Sequence, residues 1–324
     1  MNTTTVPPSR RVLADCVRTA TAAPSLHNSQ PWRFRLDGPV VDVYADPARR
    51  LEVIDPAGRE QLISVGAAVL TLRLAIEQAG YRCETTPFPS PAEPELVARV
   101  VAGAPTAVSA TTEALAAAIP HRHTNRWPFA QLPVPPEALR RLVDAARHEG
   151  AVLTIATPAG RDRILAMAAE AGRRLQGGPG YHAELDRWAG QGVRHDGVAP
   201  WAVGPWDALE AVPVRDFGEL SELRPAEPFE PYPTILVLAT AGDARPDWLR
   251  AGQALQRVLL TATWQNLATT PISQPVEVPQ ARRLLTDPAT GLSAQMVLRV
   301  GYGKVAGRSP RRPLSEVLLP DRAR

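Results

Sequence analysis

Cysteine is almost missing from this chain: two among 324 residues supply neither a disulfide framework nor a set of zinc ligands. Cys16 falls on the apolar face of a predicted helix, and both thiols read as small hydrophobes. His121 and His123 could reach one ion, but no His-Glu-x-x-His pattern or cysteine pair accompanies them, and the arginines around them oppose a cation, so no metal site is expected. No segment approaches the roughly 20 uninterrupted apolar residues of a membrane span. Met1–Pro8 also lacks the apolar stretch of a signal peptide, so a soluble cytoplasmic protein is expected. Charge is not concentrated either. Thirty-six Lys and Arg against 33 Asp and Glu leave a formal +3, without the basic run and interleaved aromatics that nucleic-acid binding needs. An anionic small molecule suits this balance better. A Gly-x-Ser-x-Gly elbow is absent, and Ser25 and His27, two apart in a turn, do not make a nucleophile and its base. Gly301-Tyr302-Gly303 follows a predicted strand, but its third glycine comes one place late and Ser309-Pro310 stands where a helix should begin, which excludes a dinucleotide loop.

What is present is a chain long enough for about two domains of ordinary size, with 34 prolines against 22 glycines, a mark of stiff, structured loops. Near its start, Leu13, Cys16, Val17 and Ala20 share one helical face, and Pro24 ends that helix before Ser25. Trp32–Leu36 and Val41–Tyr44 each alternate apolar and polar residues around Asp37-Gly38, the pattern of a β-hairpin. Ser25, Asn28 and Gln30 are thereby fixed on a loop between two rigid elements. Such polar side chains serve either a ligand or their own backbone.

The chain also resembles itself. Leu13–Ala20 has the pattern of Leu139–Ala146; Gly66–Leu70 heads a long apolar helix to Gly80, as Gly252–Leu255 heads one to about Ala268; and Val97–Gly103 reads like Val297–Gly303, each with an arginine in third place. Helices apolar almost all round are buried ones. The offset between copies grows from 126 to 186, which places an insertion between about Gly160 and Pro233. It begins as helix (Ile164–Ala169) and carries Tyr181, Trp188, Trp201, Trp206 and Asp207, as a lid or a packing arm would.

Just before the second copy, His121-Arg122-His123-Thr124-Asn125-Arg126 sets two guanidinium groups four residues apart, donors suited to a phosphate or to an electron-rich ring edge; a solvated basic loop is the plainer reading. With this element and Ala23–Trp32 together, the chain resembles the nitroreductase-like flavoproteins, and among them the Acg-type family, in which two nitroreductase halves are fused. Ala23–Trp32 matches that superfamily's Ala-Pro-Ser-x-x-Asn-x-Gln-Pro-Trp element, and Arg122, His123, Thr124 and Arg126 match its Arg-Arg-Ser-x-Arg element, with His123 in place of an arginine and one extra residue before Pro133.

The resemblance implies an α+β, internally duplicated pseudo-dimer, with halves at 1–108 and 109–324, two central helices and small, mainly antiparallel sheets. It implies one FMN per chain in the groove between the halves. Pro24, Ser25, Leu26, Asn28 and Gln30 would touch it from one side, and Arg122, His123, Thr124 and Arg126 from the other. Pro271, Ile272 and Ser273 would lie near N5, although Asn266-Leu267-Ala268 replaces the usual Gly-Leu-Gly, and Arg311 and Arg312 would hold the phosphate. The implied activity is passage of hydride from NAD(P)H through the flavin to a nitro or quinone-type aromatic acceptor, with no protein acid or base required. The alternative is an FMN store whose insertion covers the flavin. Either could be a monomer or a homodimer.

Overall fold

The computed structural model describes residues 7–189, 194–221, 224–286 and 290–321; most of the stretch 1–8, and parts of the insertion, lie outside them. Helix α1 (Arg10–Ala20) starts where Ser9 accepts a hydrogen bond from the Val12 amide at 3.3 Å and buries Leu13, Cys16, Val17 and Ala20. Strands β1 (Trp32–Asp37) and β2 (Val40–Ala45) pair antiparallel, joined through Gly38 at φ +54°, a left-handed conformation that glycine adopts without cost. After α2 (Arg59–Gln78) come β3 (Tyr81–Pro87) and β4 (Leu96–Pro105), then the short α3 (Ala110–Ala118). The sheet order is β1-β2-β4-β3, antiparallel throughout.

The sequence then runs through the same course again. Helix α4 (Pro136–His148) leads into β5 (Val152–Ile155). The hairpin turn of the first sheet is here replaced by residues 156–233, which hold α5 (Pro158–Gln176), α6 (Tyr181–Trp188) and a small parallel pair, β6 (Trp206–Asp207) and β7 (Ala226–Glu227). Strand β8 (Thr234–Thr240), helix α7 (Arg245–Trp264) and strand β9 (Ala268–Ile272) follow, then the short α8 (Gln274–Glu277) and α9 (Pro279–Leu285), β10 (Ser293–Gly301) and α10 (Leu314–Val317). This sheet is ordered β5-β8-β10-β9, the first order with each strand replaced by its later counterpart. Helix α7 stops short of the expected Ala268: Asn266 turns left-handed at φ +57°, the Leu267 amide bonds back to Ala262, and Ala268 already opens β9.

The long helices α2 and α7 cross at their glycines. A Cβ on Gly66 would sit 2.2 Å from the Leu249 carbonyl oxygen, and one on Gly252 would sit 2.0 Å from that of Ile63, so only glycine permits the approach. At this crossing each helix also lends a residue to the opposite core: Leu249 of α7 packs with Leu13, Val17 and Phe34, while Ile63 of α2 packs with Leu142, Leu238 and Leu298. Pocket walls drawn from both halves follow from that exchange. Among the described residues, no helix is long and apolar enough to cross a membrane.

Candidate functional site

The loop between α1 and β1 is held in an unusual shape. His27, Asn28 and Gln30 have φ of +46°, +55° and +49°, a region non-glycine residues seldom enter and that surrounding contacts must enforce. Those contacts are visible. The Ser25 hydroxyl accepts from the Gln30 amide at 2.9 Å, and the Leu26 amide donates to Ser64 of α2 at 3.1 Å. Asn28 Nδ2 donates to the carbonyls of Gly197 (3.0 Å) and Pro310 (3.1 Å), while Arg311 donates to Asn28 Oδ1 at 2.9 Å.

Beside this loop lies a slot with about 980 Å³ of empty volume, its solvent-facing mouth included. Its body is apolar, walled by Leu26, Ile63, Leu255, Leu259, Ile272 and Met296, with Pro271 and Ser273 at the end of β9. Pro24, Ser25, Thr124 and Arg126 also line an adjoining polar recess with Asn28, Arg122, His123 and Arg311. Gln30 and Arg312, nominated from the sequence as ligands, line neither space. Gln30 is fully buried, accepting from the Arg312 amide at 2.8 Å and donating to the His195 carbonyl at 2.7 Å. Arg312 turns its guanidinium to the Gln30 carbonyl and to Glu316, away from its neighbour Arg311. Consecutive residues of a non-helical segment project to different sides, so one arginine reaches the recess and the other clamps the loop.

The recess gathers positive charge without neutralising it. Arg122 is buried and Arg126 and Arg311 partly so; their hydrogen bonds go to backbone carbonyls and to Asn28, not to carboxylates. The Nε atoms of Arg122 and Arg311 are buried with no partner among the described residues. Burial, reinforced by Arg311, lowers Arg122 to about 9, and burial lowers Arg311 to about 10. Burial and then the Arg122 and Arg311 charges lower His123 to about 4, so its ring is neutral at pH 7. Unpaired buried cations are costly. An anionic head with a flat apolar body would satisfy recess and slot together.

Several wall residues carried no flag in the sequence. From the insertion come Val212, Pro213, Val214, Arg215, Phe217 and Phe229, not the tryptophans: Trp201 is exposed, and Trp206 stacks under Arg224 with 4.3 Å between guanidinium carbon and ring centre. Arg215 fastens this wall, donating to both oxygens of Glu277 (2.6 and 2.7 Å), to Ser273 and to the Tyr181 hydroxyl (both 3.0 Å). Arg299 of β10 pairs with Glu230 at 2.6 and 2.5 Å and lies 3.7 Å from the centre of the Phe129 ring, which ties down the insertion's return limb. His27 is buried edge-on to Phe217, its Nε2 without a partner among the described residues; burial and then Arg215 and Arg126 hold it well below the ordinary imidazole value. Glu60, at the start of α2, completes the wall.

A sequence model described as "Nitroreductase family" matches residues 119–304. The chain is 33% identical over 317 residues to "Putative NAD(P)H nitroreductase Rv3131" of Mycobacterium tuberculosis, covering 94% of this chain and 91% of that protein. With "Putative NAD(P)H nitroreductase acg" of the same organism it shares 32% over 323 residues, 94% of one and 95% of the other. Among solved structures, the FMN-dependent nitroreductase NfnB of Mycobacterium smegmatis in complex with NADPH aligns at 18% identity and a TM-score of 0.40, covering 65% of this chain and 99% of that one. The chain, with its two small antiparallel sheets around paired central helices, belongs to the nitroreductase family.

Proposed function

We propose that this protein binds one FMN between its two fused halves, residues 1–108 and 109–324, and works as an NAD(P)H-dependent oxidoreductase on nitro or quinone-type aromatics. The observation that carries the reading is the recess itself, where two buried guanidinium Nε atoms lack a partner among the described residues at the end of an apolar slot. A phosphate is the group that satisfies such donors. Arg122 and Arg311 would hold it, His123, Thr124 and Asn28 would meet the ribityl chain, and Ser25, Arg126 and the Pro271–Ser273 backbone would meet the ring, with Pro24 and Leu26 against its face. Bound FMN supplies the hydride chemistry that no side chain offers. The protein's part is to orient the ring, to place the Arg126 charge where negative charge develops during reduction, and to exclude water with Val212 and Phe217.

The tight fastening of the insertion by Arg215 and Glu277 supports a second reading, an FMN store that does not turn over. Anaerobic addition of NADH or NADPH to the yellow protein separates the two: bleaching of the flavin band within seconds supports the reductase, and a band unmoved by either supports storage. A colourless protein that takes up no added FMN overturns both.

A further inference from the structure

The slot shares a wall with a second cavity, on the outer side of the start of α2, lined among others by Asp55, Arg59, Trp248, Glu277 and Arg282. Glu60 is in that wall and borders both spaces. Its side chain is 3% exposed; Oε1 accepts from Arg59 Nη2 at 2.7 Å, and Oε2 has no partner among the described residues. An unpartnered oxygen on a carboxyl this deeply buried is costly for the ionised form, and protonation removes that charge while leaving one O–H to be met by a ligand in the slot.

We propose that Glu60 is a proton donor to the slot, recharged from water in the outer cavity. This rests on the reading of the slot as an FMN site and adds to it a step for which that reading named no group. Two-electron reduction of a quinone-type acceptor consumes one hydride and one proton. The acceptor's one oxygen takes the proton from the Glu60 carboxyl, leaving a carboxylate, while the hydride comes ultimately from the nicotinamide; the carboxylate then regains a proton from the outer side, and no further oxidant or reductant is needed. General acids of this kind work best with a proton affinity near the working pH.

The charges facing Glu60 are disposed for this. Burial raises its pKa most, and the Glu277 and Asp55 carboxylates raise it further, against the lowering effect of Arg59 and Arg215, to about 8. Arg59 is itself opposed by Arg282, and Glu277 is committed to Arg215. Asp55, its carboxylate bonded by the Gln61 amide at 2.8 Å, is raised by burial as well. Asp55 thus lines the outer cavity, and Glu60 stands in the wall between that cavity and the slot.

Infrared titration of the full chain, with and without FMN, tests the proton directly. The expected result is a protonated-carboxyl band at pH 7 that shifts in D2O, disappears as pH rises through about 8 and is missing from Glu60→Gln. Asp55→Asn, by removing a like charge, moves that midpoint downward. Glu60→Gln is expected to stay yellow, to reduce a quinone about 100-fold more slowly, and to lose the decline in rate that wild type shows above about pH 8. Absence of the band in wild type, its persistence in Glu60→Gln, or an unchanged rate and pH profile overturns the proposal. Should Glu60→Gln fail to fold, the wild-type band and its shift in Asp55→Asn decide alone. Failure of wild type to bind FMN strikes the reading of the slot, whereas the infrared band reports on Glu60 independently.

Discussion

A buried guanidinium without a carboxylate beside it works against the fold, and Arg122, whose hydrogen bond among the described residues goes to the Ala22 carbonyl, is such a group. Its pKa is lowered by burial and by Arg311 to about 9, so below that pH the native state holds a charge that the unfolded chain holds more cheaply. Replacing it with an apolar side chain of similar volume should therefore act with opposite signs on stability and binding. Arg122→Met is expected to raise the melting temperature of the FMN-free protein by about 2–4 °C and to weaken FMN by about 10- to 100-fold, the loss of a charge-assisted hydrogen bond. Calorimetry with and without flavin checks both; a variant less stable yet undiminished in affinity would show Arg122 to be structural. His27 gives the pH counterpart. Its folded pKa lies below the ordinary value, so as pH falls below about 6.5 the unfolded chain takes up a proton that the native state refuses, and stability is lost at about 1.4 kcal/mol per pH unit. Asparagine tolerates the left-handed backbone at this position and does not titrate. Urea unfolding at pH 7 and pH 5 should show a smaller acid loss in His27→Asn than in wild type, and equal losses would remove His27 from the account.

The elements repeat because the chain repeats, and the crossing of α2 and α7 is where that repetition does structural work. Gly66 and Gly252 each meet the other helix's backbone, with no flexible side chain to yield, so Gly66→Ala or Gly252→Ala must push the two halves apart. A loss of about 3 kcal/mol or more is expected, beyond ordinary overpacking. Gly172→Ala, on α5 where an added Cβ meets nothing within 4 Å, should instead gain up to about 1 kcal/mol. Denaturant midpoints of the three variants measure the contrast; a crossing variant as stable as wild type would deny the packing its role. The paired long helices, α1, the first hairpin and the strand pair around Arg99 and Arg299 could be read from sequence because each left a period or a repeat, but Gly66 and Gly252, read as the heads of those helices, lie inside ones that begin at Arg59 and Arg245. Glu60 left none: α2 is buried on almost every side, so no polar face announces that Arg59, Glu60 and Gln61 are inside. The insertion misled in another way. Its tryptophans drew attention, but the wall is built from Val212–Phe217, which carries no helical or strand period, and Arg215 becomes notable only once Glu277, 62 residues away, faces it.

At the scale of the whole molecule, the two copies share a strand order but have come to differ in use. The third-place arginines show it: Arg99 pairs with Asp42 on a partly exposed face, with 37% of its side-chain surface accessible, whereas Arg299 is 1% exposed, caged by Glu230, Phe129 and Phe229. The larger difference lies in the connections. Between β1 and β2 the chain turns at Gly38, but between β5 and β8 it makes the excursion whose return limb walls the slot. Between α1 and β1 it forms the loop at Ser25–Gln30, yet between α4 and β5 it passes through little more than Gly150 and Ala151. The cationic segment at Arg122–Arg126 precedes only the second copy. A pseudo-symmetric second slot would therefore lack the loop, the recess and the covering wall at once. Purified protein saturated with FMN is expected to hold one flavin per chain, whether it runs as one chain or two. Flavin released by heat, measured by absorbance against protein quantified by amino-acid analysis, gives the ratio, and light scattering gives the number of chains in the particle. A ratio near two would mean that the other face of the crossed helices also builds a site. A ratio near one half in a dimer would mean that the slot is completed by a second chain, contrary to the single-chain lining described above.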